Sequence, residues 1–198
     1  MNLLSWIGRQ AIELFSTLGF FFIVGLKAFT GIFSGTWSKE DLFEQLERVG
    51  VGSVLVVSIT SAFTGMVLAV QTLDQFVRFG ATGYIGGVIA LSMVREMSPV
   101  LTGLVVSGRI GAAMAAEIGS MKVTEQIDAL RTFGLEPHVF VGVPRLLAGL
   151  VMLPVLTLFS FVIGITGGFL YVAAHGVNAH LFRRSVEALL APSDIYGG

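Results

Sequence analysis

The sequence contains no cysteine, and only 13% of its 198 residues are charged. The absence of cysteine excludes disulfide scaffolds, zinc knuckles and thiol catalysis. A soluble domain carries about 25% charged residues, roughly twice the share found here. The net charge of −1 gives no electrostatic reason to expect a nucleic-acid partner. Because 54% of the residues are hydrophobic, the chain is predicted to be an all-α, polytopic integral membrane protein.

The sequence also lacks the common signatures of enzymes. It has no G-x-x-x-x-G-K-[ST] loop, so the chain by itself cannot cradle ATP. It has no H-E-x-x-H and no G-x-S-x-G motif, and its three histidines do not have the spacing of metal ligands. We therefore expect no catalytic residue, no metal site and no cofactor.

Three segments have few or no charges and are long enough to cross a bilayer: 48–73, 80–116 and 144–174. The middle segment contains Arg95, Glu96 and Arg109. As one straight helix it would be about 55 Å long, so it projects beyond the bilayer or bends near Pro99.

The N-terminal segment 1–34 is rich in phenylalanine but contains Lys27. It could span the membrane, or it could lie in the interface with the lysine reaching towards water. The prediction adopted here is an interfacial helix. No signal-peptide cleavage site is evident, so the segment is not treated as removed.

Orientation follows from the lysines and arginines of the loops. One side holds six of them: Lys39, Arg48, Arg109, Lys122, Arg131 and Arg145. The other side holds three: Arg78, Arg183 and Arg184. The excess predicts that loop 117–143 is cytoplasmic and that segment 175–198 is periplasmic.

Small residues recur at four-residue spacing in the apolar segments. The longest series is Gly103, Ser107, Gly111, Ala115 and Gly119, and shorter series are Ser61, Gly65 and Ala69, and Gly164 with Gly168. Helices in lipid associate through close approach of small residues. The longest series therefore predicts a tight helix seam, within the chain or across a dimer.

Arg95 and Glu96 lie near the middle of a predicted span. A charge at that depth costs about 2.5 kcal/mol or more, so an ionisable pair there is a functional-site hypothesis. Adjacent helical residues point about 100° apart and cannot pair well with each other. At least one of the two should therefore face a polar cavity or another helix. The alternative is an ion pair that only ties helices together.

Loop 117–143 contains a short amphipathic pattern. Val123, Ile127 and Leu130 form a one-sided apolar stripe. Thr124 or Ser120 could cap the start of this helix, and Gly134 with Pro137 ends it. A helix this short needs a groove to bind, either on a soluble partner or at the membrane surface.

Several motifs closely resemble the MlaE/YrbE family of membrane permeases. They are FTGMVLAVQ at Phe63–Gln71, RE-x-x-P at Arg95–Pro99, SGRIGAAMAAEIGSM at Ser107–Met121, TEQIDAL at Thr124–Leu130 and VPR at Val143–Arg145. The resemblance covers most of the chain from about residue 45 onward, and its motifs are long and ordered.

Members of that family are permease subunits of ABC transporters. The resemblance implies a homodimer placed between two cytoplasmic ATPase subunits and a periplasmic ring of Mce-domain subunits, with a small STAS-domain regulator as a further partner. It implies that the complex moves phospholipids between the inner membrane and the outer envelope and maintains outer-membrane lipid asymmetry. It also implies that the chain lies in the bacterial inner membrane. Because family members continue for two further membrane helices, we expect the chain to be truncated before them.

The resemblance also assigns roles to particular residues. The loop helix becomes a coupling helix that docks on the ATPase through Thr124, Glu125, Ile127, Asp128, Leu130 and Arg131. The lipid cavity is lined by Arg95, Glu96, Leu68, Gln71 and Phe79. The helix-packing residues are Gly103, Ser107, Gly111 and Ala115. Segment 1–34 corresponds to the interfacial helix of the family.

Two other functions compete with transport by an ABC permease. A membrane anchor could recruit the ATPase and the Mce-domain partners without moving any substrate. A proton-coupled carrier using Arg95 and Glu96 ranks last, because the sequence shows no inverted repeat.

Overall fold

The computed structural model describes residues 3–32, 38–191 and 194. Within these residues the chain forms seven α-helices and no β-strand, which confirms the all-α class. The helices are α1 Leu3–Gly31, α2 Lys39–Arg78, α3 Ile85–Ser92, α4 Ser98–Val123, α5 Gln126–Thr132, α6 Pro137–Ala174 and α7 Ala179–Leu189. A 3₁₀ turn at Thr82–Tyr84 precedes α3, and a π-helical turn at Met93–Met97 joins α3 to α4.

Four stretches of the described residues are long and apolar enough to cross a membrane, which confirms a polytopic membrane protein. They are Gly8–Gly31, Lys39–Arg78, Thr82–Val123 and Val139–Ala174. The first of them lies in α1, so α1 has the length of a span. The interfacial placement of segment 1–34 stays a prediction.

The helices extend beyond the predicted segments. Segment 48–73 is the central part of α2, and much of the predicted loop 117–143 is helical, because α4 continues to Val123 and α6 begins at Pro137. A charge-free run marks only the part of a helix that suits hydrocarbon. The backbone hydrogen bonds of a helix can continue past that region into water, where charged side chains are favourable.

The chain divides into two compact units. Unit 1 comprises Met1–Gln45 and Glu117–Gly149, and unit 2 comprises Leu46–Ala116 and Leu150–Gly198. Three helices, α2, α4 and α6, contribute residues to both units. In unit 1, a Cβ atom on Gly31 of α1 would lie 2.7 Å from a methyl group of Val139, so α1 packs closely on the start of α6.

The core of unit 2 contains a close crossing of α2 and α6. A Cβ atom on Gly65 would lie only 1.8 Å from the carbonyl oxygen of Gly164. One turn away, the buried hydroxyls of Ser61 and Ser160 share a hydrogen bond of 2.6 Å. Two of the shorter small-residue series therefore pack against each other. Without a hydrophobic driving force in lipid, such close packing is what holds helices together.

Helix α7 is an element of unit 2 that the sequence analysis did not predict within segment 175–198. The side chain of Asn178 caps its N-terminus by accepting the backbone N–H of His180 at 2.9 Å. Phe182 and Ser185, three positions apart on one face of the helix, are buried, whereas Arg183 and Arg184 are exposed. This face and the cap residue are the sequence signals that could have identified the helix.

Helix α7 packs on α3 through two glycines. A Cβ atom on Gly86 or Gly87 would lie 2.5 or 2.6 Å from a backbone carbonyl of α7, at Phe182 and Ser185 respectively. The N–H of Gly87 donates to the Ser185 hydroxyl at 2.8 Å. Only glycine allows this approach, and it places α7 against the core cluster that contains Phe182 and Met93.

Candidate functional site

The π-helical turn Met93–Met97 carries both of the charges predicted near mid-membrane, Arg95 and Glu96. The N–H of Ser98 donates to the carbonyl of Met93, five residues earlier, instead of four. Pro99 follows directly and has no N–H to donate, so the regular ladder is interrupted at this point. The helix therefore has a widened turn just before Pro99, a feature that frequently accompanies functional sites. The bend near Pro99 stays a prediction.

Arg95 is bound to a residue far along the chain. Its Nε donates to Asp194 Oδ1 at 2.9 Å, and its Nη2 donates to the same oxygen. The other carboxylate oxygen of Asp194 accepts the N–H of Ala191 at 2.9 Å. The Asp194 side chain is 5% exposed, whereas that of Arg95 is 57% exposed. The arginine is therefore anchored on one edge and accessible on the other.

These contacts also affect the protonation of Asp194. The hydrogen bond from Arg95, followed by that from the Ala191 N–H, holds the pKa of this carboxyl below its ordinary value. Sequence reasoning expected a distant partner for Arg95 or Glu96 but did not identify Asp194. The side chain of Glu96 is exposed on the next position of the turn.

The other predicted cavity residues lie on or just after α2. Leu68 is half-buried and packs against the core cluster that includes Met93, the first residue of the widened turn. Gln71 is exposed, and Phe79 is 84% exposed. The structure thus links Leu68 to the packing beneath the turn and leaves Gln71 and Phe79 on the surface of the chain.

The predicted coupling residues lie in unit 1 around α5, with some differences from expectation. Helix α5 begins at Gln126, after Glu125, which has a left-handed backbone (φ 58°) and makes no capping hydrogen bond through its side chain. Thr124 instead donates to the carbonyl of Ser120 at 2.9 Å. The capping prediction is therefore wrong, and Val123 ends α4 instead of starting the stripe. Val123 and Glu125 are the residues at which the chain turns sharply between two helices, and periodicity alone cannot show such a break.

Asp128 organises the charges of the hairpin that the end of α4 and helix α5 form. It accepts hydrogen bonds from Lys122 at 3.0 Å and from Arg131 at 3.1 Å. The Lys122 hydrogen bond and charge, and then the Arg131 charge, hold the pKa of the Asp128 carboxyl below its ordinary value. Ile127 and Leu130 are half-buried. The surface of α5 therefore combines a fixed ionic network with a partly exposed apolar side.

An ion pair missed by the sequence analysis lies beside this hairpin. Arg145 is 9% exposed, and its Nη2 lies 2.9 Å from Glu117 Oε2. Glu117 lies in the predicted glycine-rich motif and Arg145 in the VPR motif. Charged residues are rare within these largely apolar motifs, and this rarity is the sequence signal that could have identified Glu117 and Arg145.

The longest small-residue series runs along α4. Around Gly103, Gly111 and Gly119, no atom of another described helix lies within 4 Å of the position a Cβ would occupy. Ser107 and Ala115 are exposed. The described residues of the chain therefore leave this face open, and its role in helix packing stays a prediction.

No group of three or more histidine, cysteine or acidic side chains suited to a metal ion is found among the described residues. The described helices of membrane-spanning length, one of which carries charges at a widened turn, define a multi-pass membrane protein. The family model "Permease MlaE" matches residues 42–198. The chain belongs to the MlaE permease family.

Relatives of the chain carry related descriptions. A probable ABC transporter permease protein of Rickettsia bellii is 39% identical over 199 aligned positions, which cover 100% of this chain and 77% of the relative. The intermembrane phospholipid transport system permease protein MlaE of Haemophilus influenzae is 36% identical over 85% of this chain and 64% of its own length. The chloroplastic protein TRIGALACTOSYLDIACYLGLYCEROL 1 of Arabidopsis thaliana is 41% identical over 83% of this chain and 47% of its own length.

Proposed function

We propose that the chain is the permease subunit of an ATP-driven ABC transporter that moves phospholipids between the inner membrane and the outer envelope and so maintains outer-membrane lipid asymmetry. The observation that carries the proposal is the family match over residues 42–198. The phospholipid substrate is supported by the similarity to the Haemophilus protein, a permease of an intermembrane phospholipid transport system. The transport class itself follows from family membership.

The geometry at the widened turn supports a headgroup role for Arg95. A guanidinium has five N–H donors, and Asp194 accepts from Nε and Nη2. The remaining donors are available to a phosphate, which arginine binds well. In this proposal Arg95 contacts the headgroup, Glu96 fixes a neighbouring helix, and Leu68, Gln71 and Phe79 contribute to the cavity wall.

The energy for transport is supplied from the cytoplasm. The chain has no phosphate-binding loop, so in this proposal separate ATPase subunits hydrolyse ATP. Helix α5 and its flanking residues dock on them through Thr124, Glu125, Ile127, Asp128, Leu130 and Arg131. Closure of the ATPases then moves α5, and the attached helices α4 and α6 transmit this movement to the lipid cavity.

The remaining partners follow from the same family. A second copy of the chain packs against α4 along Gly103, Ser107, Gly111 and Ala115, whose open face allows close approach. A periplasmic Mce-domain ring receives the lipid, and a STAS-domain regulator binds on the cytoplasmic side. The complex lies in the bacterial inner membrane.

The test is ATP-dependent transfer of a fluorescent phospholipid by the complete complex in proteoliposomes. Arg95→Ala is expected to reduce transfer at least tenfold, and Arg95→Lys to retain only part of it, because one ammonium cannot serve Asp194 and a phosphate with the same geometry. Asp128→Lys is expected to uncouple ATP hydrolysis from transfer. Arg183→Ala, at an exposed position of α7, is the matched control and should transport normally.

Two outcomes would refute the proposal. If Arg95→Ala and Asp128→Lys both assemble and transport as well as the parent complex, the assigned roles are wrong. If the parent complex shows neither lipid-stimulated ATP hydrolysis nor lipid transfer, the chain is a scaffold that recruits its partners without translocating lipid.

A further inference from the structure

Arg109 lies on α4 in unit 2, and its guanidinium rests against α2. Its Nη1 donates to the hydroxyl of Ser53 at 3.0 Å, and Ser53 is completely buried. A Cβ atom on Gly52 would lie 2.9 Å from both Nη1 and Nη2, so these nitrogens occupy the space that a larger side chain would fill. The guanidinium is therefore held at a defined place on α2, although Arg109 itself is exposed.

No acidic side chain of the chain compensates the charge of Arg109. All 13 acidic residues lie in the described ranges 3–32, 38–191 and 194, and none of them forms an ion pair with Arg109. The arginines of two other motifs differ, because Arg95 is paired with Asp194 and Arg145 with Glu117. A charge in a membrane segment is costly unless it is paired, so Arg109 calls for an anion from outside the chain.

The position of Ser53 along α2 indicates the depth of this guanidinium. The charge-free run 49–73 is about 38 Å long as a helix, whereas the hydrocarbon core of a bilayer is about 30 Å thick. The first few residues of the run, which include Gly52 and Ser53, therefore lie close to a boundary of the core, where the polar headgroups begin. The excess of lysine and arginine predicts that this boundary is the cytoplasmic one.

An exposed apolar surface extends from the guanidinium towards the middle of the membrane. Val56 and Ile59 follow Gly52 at the spacing of one helix face, and they are 39% and 50% exposed. Around Gly108, which precedes Arg109 on α4, no atom of another described helix lies within 4 Å of the position that a Cβ would occupy. A cation at the boundary with an apolar surface beneath it matches a lipid, whose anionic headgroup lies above its acyl chains.

We infer that Arg109, positioned by Ser53, binds the phosphate of an anionic phospholipid of the cytoplasmic leaflet, with an acyl chain along Val56 and Ile59. A guanidinium has five N–H donors, and those not used by Ser53 can bind two phosphate oxygens in parallel. A lipid with a net negative charge is favoured over a zwitterionic one, because Arg109 has no counter-charge within the chain. This site is separate from Arg95, and it requires only that α2 and α4 cross the membrane.

The first experiment titrates the purified full permease in detergent with phosphatidylglycerol or phosphatidylcholine and measures lipid binding by native mass spectrometry. Arg109→Gln removes the charge and keeps a side chain that can donate to Ser53. The dissociation constant for phosphatidylglycerol is expected to rise about fivefold, and that for phosphatidylcholine to change less than about twofold. Arg183→Gln is the matched control, because this exposed arginine already has a carboxylate, that of Glu187, at 2.9 Å. It should retain the parent affinity for both lipids.

The second experiment locates the bound lipid. The chain contains no cysteine, so Ile59→Cys introduces a single thiol into it, and this thiol is labelled with a fluorophore in phosphatidylcholine nanodiscs. Brominated phosphatidylglycerol is expected to quench the label more strongly than brominated phosphatidylcholine at equal mole fraction, and Arg109→Gln should abolish this preference. An excess of inorganic phosphate should leave the quenching unchanged, because free phosphate has no acyl chain to contact Ile59. Loss of quenching would indicate a site for the anion alone and contradict the lipid assignment.

The inference is overturned if Arg109→Gln, with the thermal stability of the parent, binds phosphatidylglycerol with unchanged affinity. It is also overturned if the two brominated lipids quench the Ile59→Cys label equally, a comparison made with Arg109 in place and therefore independent of how Arg109→Gln folds. If Arg109→Gln separates two copies of the permease without altering lipid binding, the counter-ion is a carboxylate of the second copy and the lipid site is refuted. ATP-dependent lipid transfer by the parent complex tests the proposed function separately from these results.

Discussion

The crossing of α2 and α6 makes a quantitative prediction for Gly65→Ala. The added Cβ would lie 1.8 Å from the Gly164 carbonyl oxygen and 2.6 Å from the carbonyl carbon. Ordinary contact begins at 3.4 Å, so the two backbones must separate by about 1.6 Å. Neither atom belongs to a flexible side chain that could move aside. The whole crossing must therefore open.

The energetic cost has two parts. Forcing a methyl group into a closely packed contact costs about 1–3 kcal/mol. Separation of this size would also stretch the Ser61–Ser160 hydrogen bond from 2.6 Å to beyond bonding distance, and a bond of this kind between membrane helices contributes about 0.6 kcal/mol. We expect Gly65→Ala to lower the free energy of unfolding by about 2–4 kcal/mol.

The assay is the unfolding free energy of the chain in mixed micelles, measured by titration with a denaturing detergent. Gly149→Ala in α6 is the control, because no atom lies within 4 Å of its added Cβ. That variant should be neutral or stabilised by up to about 1 kcal/mol, since alanine restricts the unfolded chain. Equal unfolding free energies for the two variants would show that α2 and α6 do not meet at these glycines.

Two further predictions concern unit 1. Glu117→Gln leaves the buried guanidinium of Arg145 without a carboxylate and is expected to cost about 1–3 kcal/mol of unfolding free energy, less than the 3–5 kcal/mol of a fully buried pair because a third of Glu117 is exposed. The second prediction concerns pH. Because the pKa of Asp128 is lowered in the folded chain from its ordinary value of 3.8, its ionic network contributes stability that is complete above that pH and lost only as the pH falls through the lower folded value. Hydrogen-exchange protection of α5 should therefore be constant from about pH 5 to about pH 8.

Each of these predictions has its own contradicting result. Glu47→Gln, at an exposed acid of α2, is the control for Glu117→Gln, and equal melting temperatures for the two variants would show that the ion pair contributes nothing. For the hairpin, a loss of α5 protection with a midpoint above pH 4 would place its titration in another group. Asp128→Asn should remove the acid-induced loss and identify the carboxylate responsible.

The sequence predicted the membrane-embedded parts of the fold but not the ends of the helices. Long charge-free runs, such as 146–174, can be identified because the bilayer accepts little else. Helix α6 nevertheless begins at Pro137, and α4 reaches Val123. In the aqueous region helices end where caps and turns dictate, and the turn at Glu125 depends on a left-handed backbone that a glutamate seldom adopts.

The polar contacts between distant residues were the least predictable part of the candidate site. Gln45 lies in an ordinary amphipathic turn, and only the folded chain shows that its side chain is buried at a cavity beside the pair formed by Glu117 and Arg145. Hydrophobic periodicity reports which face of a helix is covered, but it carries no information on which helix covers it. The cavity therefore could not be recognised before the fold was known.

Arg95 shows how the two kinds of reasoning complement each other. The energetic cost of a charge in an apolar segment identified this residue from the sequence, and the same cost required a partner that the sequence could not name, 99 positions away at Asp194. More than half of the Arg95 side chain is exposed, while the Asp194 carboxylate is covered. Asp194 lowers the energetic cost of keeping the charge in place and fixes its orientation, and the exposed edge of the guanidinium retains N–H donors for an anionic ligand. In the proposed function, this asymmetry leaves Arg95 able to contact a lipid headgroup while Asp194 holds it in place.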